Sequence, residues 1–222
     1  MRKQFSDPDH YLHNNFEVAS RAGILRMMLP SVQGLAIVDI GCGDGSLSLQ
    51  FLAEAKHVTL VDLSKAMLLR AEAKIPADLS HKVTFANADL MQFLPPEPAD
   101  VVICVGVLAH VERLGPAIQK LASMTKTGGR CVVQITDHDR VVGKVQCAFS
   151  RGSYPLLRIS RLELQKVALS AGFRLCQRAD HYLLVPGMGR LPRRWLLAYD
   201  KFVLNSSLLS RFAPSAVIMF ER

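Results

Sequence analysis

The sequence predicts an α/β fold organised around a mostly parallel, seven-stranded sheet. Two observations carry that expectation. Apolar, β-rich segments alternate with helical ones from residue 35 onward, as in strand–helix–strand crossovers. The first five such segments are nearly continuous apolar runs, as strands covered on both faces should be.

Those five strands are expected at Leu35–Ile40, His57–Val61, Val83–Ala86, Asp100–Val105 and Arg130–Thr136. Amphipathic helices are expected between them at about Ser46–Ala55, Ser64–Lys74 and Glu112–Lys126, the last closed by Gly128-Gly129. Before the first strand, Phe5 to Leu29 reads as helical. After the fifth strand, Ser160-Arg161-Leu162-Glu163 is a capping box that opens a helix reaching about Ala171, which Gly172 closes. An alternating strand, Phe173 to Val185, follows, then a Gly/Pro-rich turn, a helix around Arg193–Leu204, and a final strand, Ser215–Glu221. With no internal repeat and no low-complexity linker, the 222 residues are expected to form one domain.

Half of the residues are hydrophobic and 21% are charged, a globular composition that excludes disorder as the main state. The longest apolar run, Val101 to Ala109, is too short for a membrane span, and the polar start, Met1 to Asp7, is unlike a signal peptide. Five cysteines without a close pair suit neither a disulfide framework nor a zinc knuckle, so a reducing cytoplasm is expected. The net charge of +8 is unevenly spread. Residues 1–139 carry −2 and residues 140–222 carry +10, which argues for an anionic partner near the second region.

The chemistry concentrates at strand ends. The first strand runs into Asp39-Ile40-Gly41-Cys42-Gly43-Asp44-Gly45, where glycines at alternate positions allow a sharp turn and let a nucleotide-like ligand lie on bare backbone. Asp62 ends the second strand, seventeen residues after Gly45, and suits a ribose. Asp89 ends the third strand, where it can accept from an exocyclic amine while Leu63 and Leu90 sandwich a purine. The rival to these roles is that Asp39, Asp62 and Asp89 are only turn formers, but three separate strand ends would then have to agree by accident.

This combination resembles the class I S-adenosylmethionine-dependent methyltransferases, especially the small-molecule group, over residues 35–136. The resemblance implies a Rossmann-like sheet with a C-terminal antiparallel hairpin and an N-terminal helical lid (residues 1–34), a cofactor-binding half (35–136) and an acceptor-side half (137–222). It implies S-adenosyl-L-methionine as cofactor. Asp39 would orient the glycine loop and the methionine amino group, the Gly41, Cys42 and Gly43 backbone would pack on the methionine part, and Asp62 would bind the ribose. Asp89 would bind the adenine amine, Met67 would lie near the adenine, and Val105 would offer its backbone. Tyr11, in the lid, would touch the methionine carboxylate or else simply pack on the sheet. A nicotinamide-dependent oxidoreductase needs glycine at position 46, where Ser46 stands.

His110 follows the fourth strand, facing the transferred methyl in this family, and is read either as acceptor contact or general base or as a structural histidine. Asp137-His138-Asp139 after the fifth strand invites a metal reading, but the partner carboxylate after the fourth strand is missing. No metal is therefore expected, and solvated or acceptor-pocket roles are assigned there, with His138 a second-choice base. Cys104 is read as a buried strand cysteine.

In the basic region, Arg140, Lys144, Arg151, Arg158 and Arg161, and Arg190, Arg193 and Arg194 before Trp195, suggest a small anionic acceptor. The alternatives are contact of the Arg193–Leu204 helix with an anionic membrane or acidic carrier, or apolar packing of that helix with its arginines solvated. No aromatic platform supports nucleic acid as a partner. The expected function is methyl transfer to a small polar or anionic acceptor, with oxygen favoured. The alternative is a methyltransferase-like protein that binds without turnover.

Overall fold

The computed structural model describes residues 15–137, 157–181, 192–206 and 208–222. Helix α1 (Asn15–Met28) leads into β1 (Ala36–Ile40), followed by β2 (His57–Val61), α2 (Lys65–Glu72), β3 (Val83–Ala86), β4 (Ala99–Cys104), α3 (Leu114–Met124) and β5 (Thr125–Thr136). The second part supplies α4 (Arg161–Ser170), β6 (Arg174–His181), α5 (Arg193–Asn205) and β7 (Ser215–Glu221). The strands form one seven-stranded sheet in the order β3-β2-β1-β4-β5-β7-β6. Strands β1 to β5 are parallel, and β7 runs antiparallel to both of its neighbours, so the expected C-terminal antiparallel pair is β6 and β7. Helix α5 lies between those two strands in sequence.

Apolar strands are buried on both faces because successive side chains alternate. In β4 and just beyond it, Val102 and Cys104 join one core with Ile118 and Leu121 of α3 and Leu164 of α4, while Val101, Ile103 and Val105 join the other with Ile24, Leu25 and Met28 of α1. Strand β7 divides in the same way, Ile218 and Phe220 facing the first core and Val217 and Met219 the second. The capping box at Ser160 is present, its hydroxyl accepting from the Glu163 amide at 3.1 Å.

Two expectations are corrected. In place of an α-helix over Ser46–Ala55, the chain makes turns around a short 3-10 segment, Leu49–Phe51, with i→i+3 bonds such as Phe51 N to Ser48 O at 3.0 Å. Ser46 and Ser48 are indifferent helix formers, and Phe51 and Leu52 gain burial against the sheet from the tighter path. Gly128-Gly129 does not cap the preceding helix, because α3 passes directly into β5 and both glycines lie inside that strand. A Cβ on Gly129 would stand 2.9 Å from the Lys126 carbonyl and 3.0 Å from that of Asp100, and the β4–β5 register shifts there between Ala99 and Val101. The pair therefore serves a bulge rather than a helix end. Of the N-terminal helical segment, Asn15–Met28 is helical; Tyr11 lies outside the described residues, as do His138, Asp139 and strand positions 182–185.

Candidate cofactor and acceptor site

The carboxyl ends of β1 to β4 converge on a cavity of about 430 Å³, the place where ligands bind in open parallel sheets. Its wall includes Gly41 and Gly43 after β1, Asp62, Leu63 and Met67 after β2, and Asp89 and Leu90 after β3. Val107, His110 and Arg113 come from the segment after β4. Asp39, Cys42 and Val105 are buried and stand behind this wall instead of lining it.

The loop after β1 is pinned from below, the Gly41 and Cys42 amides both donating to Val61 O at 2.8 and 3.0 Å. Gly41 has φ +68, and a Cβ there would stand 2.2 Å from Cγ2 of Val107, so the loop after β4 fixes this glycine sterically. Gly43, at φ +55, meets no heavy atom within 4 Å of where its Cβ would be; this is open backbone at the cavity wall.

Asp62 ties the loops together. Its Oδ2 accepts from the Gly43 amide and its Oδ1 from the Ser64 amide, each at 2.8 Å. Asn87 braces the same corner, its Nδ2 donating to the carbonyls of Asp62 and Leu63 at 2.9 Å. Asp89 Oδ1 accepts from Met91 N at 2.8 Å, which leaves Oδ2 without a hydrogen bond among the described residues. Leu90 and Met67 are buried and Leu63 is 47% exposed, giving an apolar slot beside two carboxylates.

Asp39 is the electrostatic anomaly. Only 1% exposed, it has Oδ2 buried with no hydrogen-bond partner among the described residues. Burial raises its pKa to about 7, with the Ser48 hydroxyl opposing and the Asp62 carboxylate adding to the rise. An orphaned carboxylate oxygen behind a glycine loop is costly unless a donor fills it. A primary ammonium group approaching over the loop fits that requirement. The thiols of Cys42 and Cys104 are pushed up by burial and are inert.

His110 ends a 3-10 turn, Leu108–His110, and partial burial lowers its pKa below the ordinary imidazole value. Arg21 of α1 was not legible as a site residue. Its Nη1 would be 3.8 Å from a Cβ on the cavity-lining Gly106, and its buried Nε has no hydrogen-bond partner among the described residues. Val107, Asn87 and Arg113 were missed too; only Asn87, two residues before Asp89, had a positional signal in the sequence.

The arginines expected to hold an acceptor do otherwise. Arg161 is buried, pairing through Nε with Asp137 at 3.1 Å and through Nη1 with Asp180 at 2.8 Å, and Nη2 donates to Ala213 O at 2.9 Å. Asp137 is therefore neither solvated nor part of an acceptor pocket: it locks the end of β5 to α4 and β6. Of the expected set, Arg158, Arg193 and Arg194 do not line the cavity, and Arg140, Lys144, Arg151 and Arg190 lie outside the described residues. Arg113 lines the cavity instead, beside Glu112. No cluster of metal-binding side chains occurs among the described residues.

Residues 37–129 match the family described as a methyltransferase domain. A ubiquinone biosynthesis O-methyltransferase of Rhodopseudomonas palustris (strain TIE-1) is 33% identical over 106 residues, 47% of this chain and 41% of that protein. The chain thus spans less than half the length of this curated relative. Among solved structures, an S-adenosylmethionine-dependent methyltransferase from Mesorhizobium loti superposes with TM-score 0.69 at 20% identity, covering 94% of this chain and 100% of that one. The magnesium protoporphyrin IX methyltransferase of Synechocystis PCC 6803, solved with bound SAH, gives TM-score 0.64 at 20% identity, covering 93% and 83%. Residues 37–129, which hold the glycine loop and the acidic strand ends, thus match a methyltransferase domain, and the chain has the fold of S-adenosylmethionine-dependent methyltransferases.

Proposed function

We propose that this protein transfers a methyl group from S-adenosylmethionine to an oxygen of a small, anionic acceptor. The observation that carries the reading is the convergence on one cavity of open glycine backbone, Asp62 and Asp89, with Oδ2 of Asp39 behind them and without a hydrogen-bond partner among the described residues. Asp39 takes the ammonium of the cofactor and Arg21 its carboxylate. Asp62 accepts from the ribose hydroxyls through the lone pairs that the Gly43 and Ser64 amides leave over. Asp89 accepts from the adenine amine, and Leu63, Met67 and Leu90 hold the ring.

S-adenosylmethionine supplies an electrophilic methyl on a sulfonium, whose sulfur departs as a neutral thioether and so needs no acid. The protein's task is then alignment and exclusion of water. Arg113 attracts the anionic acceptor. His110, neutral at physiological pH because its pKa is lowered, takes the hydroxyl proton as the carbon–oxygen bond forms. The naming of the Rhodopseudomonas relative as an O-methyltransferase supports oxygen as the acceptor atom. Cys42, Cys104, Cys131 and Cys176, all free thiols, support a reducing, cytoplasmic setting.

The test is incubation with methyl-labelled cofactor and cell extract, followed by mass spectrometry of the labelled product. A labelled small hydroxy compound with a negative charge is the expected result. Labelling of nitrogen or of macromolecules overturns the acceptor assignment. Tight binding of S-adenosylhomocysteine with no labelled product would favour the binding-only alternative.

A further inference from the structure

Helix α5 leaves part of its surface unpartnered. Its inner side buries Leu196 and Val203, and the buried Asp200 receives a hydrogen bond from the Ser20 hydroxyl of α1, which fixes the rotation of the helix. Trp195 and Phe202, seven residues apart and therefore stacked along one face, are each 61% exposed. Arg194 and Lys201 have the same seven-residue spacing on the adjoining stripe and are exposed. Beyond the helix, Leu208 (65%) and Phe212 (50%) continue the apolar exposure beside the exposed Arg211. Leu209 and Tyr199 pack on Val203 and Ala213, so the segment after the helix is anchored to it. Asp200 is the only acidic residue between positions 192 and 212 and points inward, so the outer surface carries positive charge alone.

We propose that this face docks on an anionic lipid bilayer. Aromatic side chains beside arginine and lysine match an interface in which rings enter the acyl boundary while cations meet phosphate headgroups. Charge complementarity and apolar exposure together select this occupant: an acidic protein would attract the same cations, but an anionic bilayer also offers an acyl boundary to the exposed Trp195, Phe202, Leu208 and Phe212. Among the described residues no helix is long and apolar enough to cross a membrane, so the contact lies along the surface. The proposal stands apart from the methyl-transfer reading, since it needs no cofactor.

Trp195 is the only tryptophan in the chain, so its emission reports on this face without labelling. The full chain is mixed with vesicles of phosphatidylcholine alone and of phosphatidylcholine with phosphatidylglycerol. The expected result is co-sedimentation with the anionic vesicles only, a blue shift of the emission, and reversal by salt. Arg194→Glu with Lys201→Glu should weaken the partition at least roughly tenfold. Phe202→Ser, and separately Trp195→Ser read by sedimentation, should also weaken it, with S-adenosylhomocysteine binding retained as the check on folding. Absence of partition overturns the proposal, as does equal binding to both vesicle types. A blue shift that grows with protein concentration in the absence of vesicles overturns it in favour of a second copy of the chain.

Discussion

The carboxylate of Asp62 reaches back across the sheet end to hold the Gly43 amide at 2.8 Å, so the residue assigned to the ribose also fixes the loop assigned to the methionine. On the proposed reading, one side chain thereby sets the distance between two parts of a single ligand. Asp62→Ala removes acceptors from the Gly43 and Ser64 amides as well as from the ribose hydroxyls. The affinity for S-adenosylhomocysteine should fall by at least about 1.5–3 kcal/mol, the range for hydrogen bonds to a charged acceptor. Calorimetry on the folded variant checks this, and an unchanged dissociation constant would remove Asp62 from the site.

Gly41 and Val107 form a second such pair, this time steric. Gly41→Ala should disorder the loop and weaken the cofactor, because its Cβ would stand 2.2 Å from Val107 Cγ2. Adding Val107→Ala opens that space, so the double variant should recover part of the loss. The φ of +68 remains unfavourable for alanine by about 1–2 kcal/mol, so recovery should be incomplete. Equal affinity in Gly41→Ala and in the double variant would show that the contact does not shape the site.

These two pairs mark where the sequence could be read and where it could not. The strands were legible because β4 and β7 are buried on both faces, which forces continuous apolar runs. Asp39 and Asp62 were legible at the ends of the buried β1 and β2, whereas Asp89 follows the half-exposed edge strand β3. Contacts between distant segments were not. Nothing local to Val107 indicates that it sets the identity of residue 41, and nothing local to Arg161 indicates that its charge is spent on Asp137 and Asp180. Gly128-Gly129 misled because a glycine pair after a helix usually caps it, while here the neighbouring carbonyl of Asp100 demands the missing Cβ. The Arg193–Leu204 helix was correctly bounded, yet its exposed aromatics could not be told from core residues until Asp200 was found facing inward.

His110→Ala tests the proton-transfer role. Turnover should fall by roughly 10²–10⁴-fold with cofactor affinity unchanged, because base catalysis acts on the chemical step. In the wild type, the lowered pKa keeps the imidazole neutral through the neutral range, so activity should be lost only as pH falls below the ordinary histidine range. Higher pH should partly restore the variant by ionising the acceptor itself. A parallel fall in cofactor affinity and turnover would make His110 a structural residue.

Asp39 offers the sharpest pH test, and its sign matters. Its pKa rises from 3.8 to about 7 in the folded protein, so between those values the folded state holds a proton that the unfolded state has lost. Its contribution to stability therefore declines as pH rises through that window. Buried His181 behaves oppositely: its pKa falls from 6.5 to about 3, chiefly through burial with Arg21 adding, so its contribution is complete above 6.5 and is lost as pH falls. Below pH 6.5 the two slopes offset each other, and thermal stability of the wild type should be flatter than either residue alone would make it. Asp39→Asn should unmask His181, so that stability climbs with pH between about 4 and 6.5. Cofactor binding gives the cleaner readout, since an ammonium pairs with the ionised form of Asp39 and not with the acid. Affinity for S-adenosylhomocysteine should then weaken by up to roughly tenfold per pH unit below 7 in the wild type and stay nearly flat in Asp39→Asn. Calorimetry from pH 5.5 to 8 on both proteins decides it, and identical profiles would mean that Asp39 does not meet the amino group.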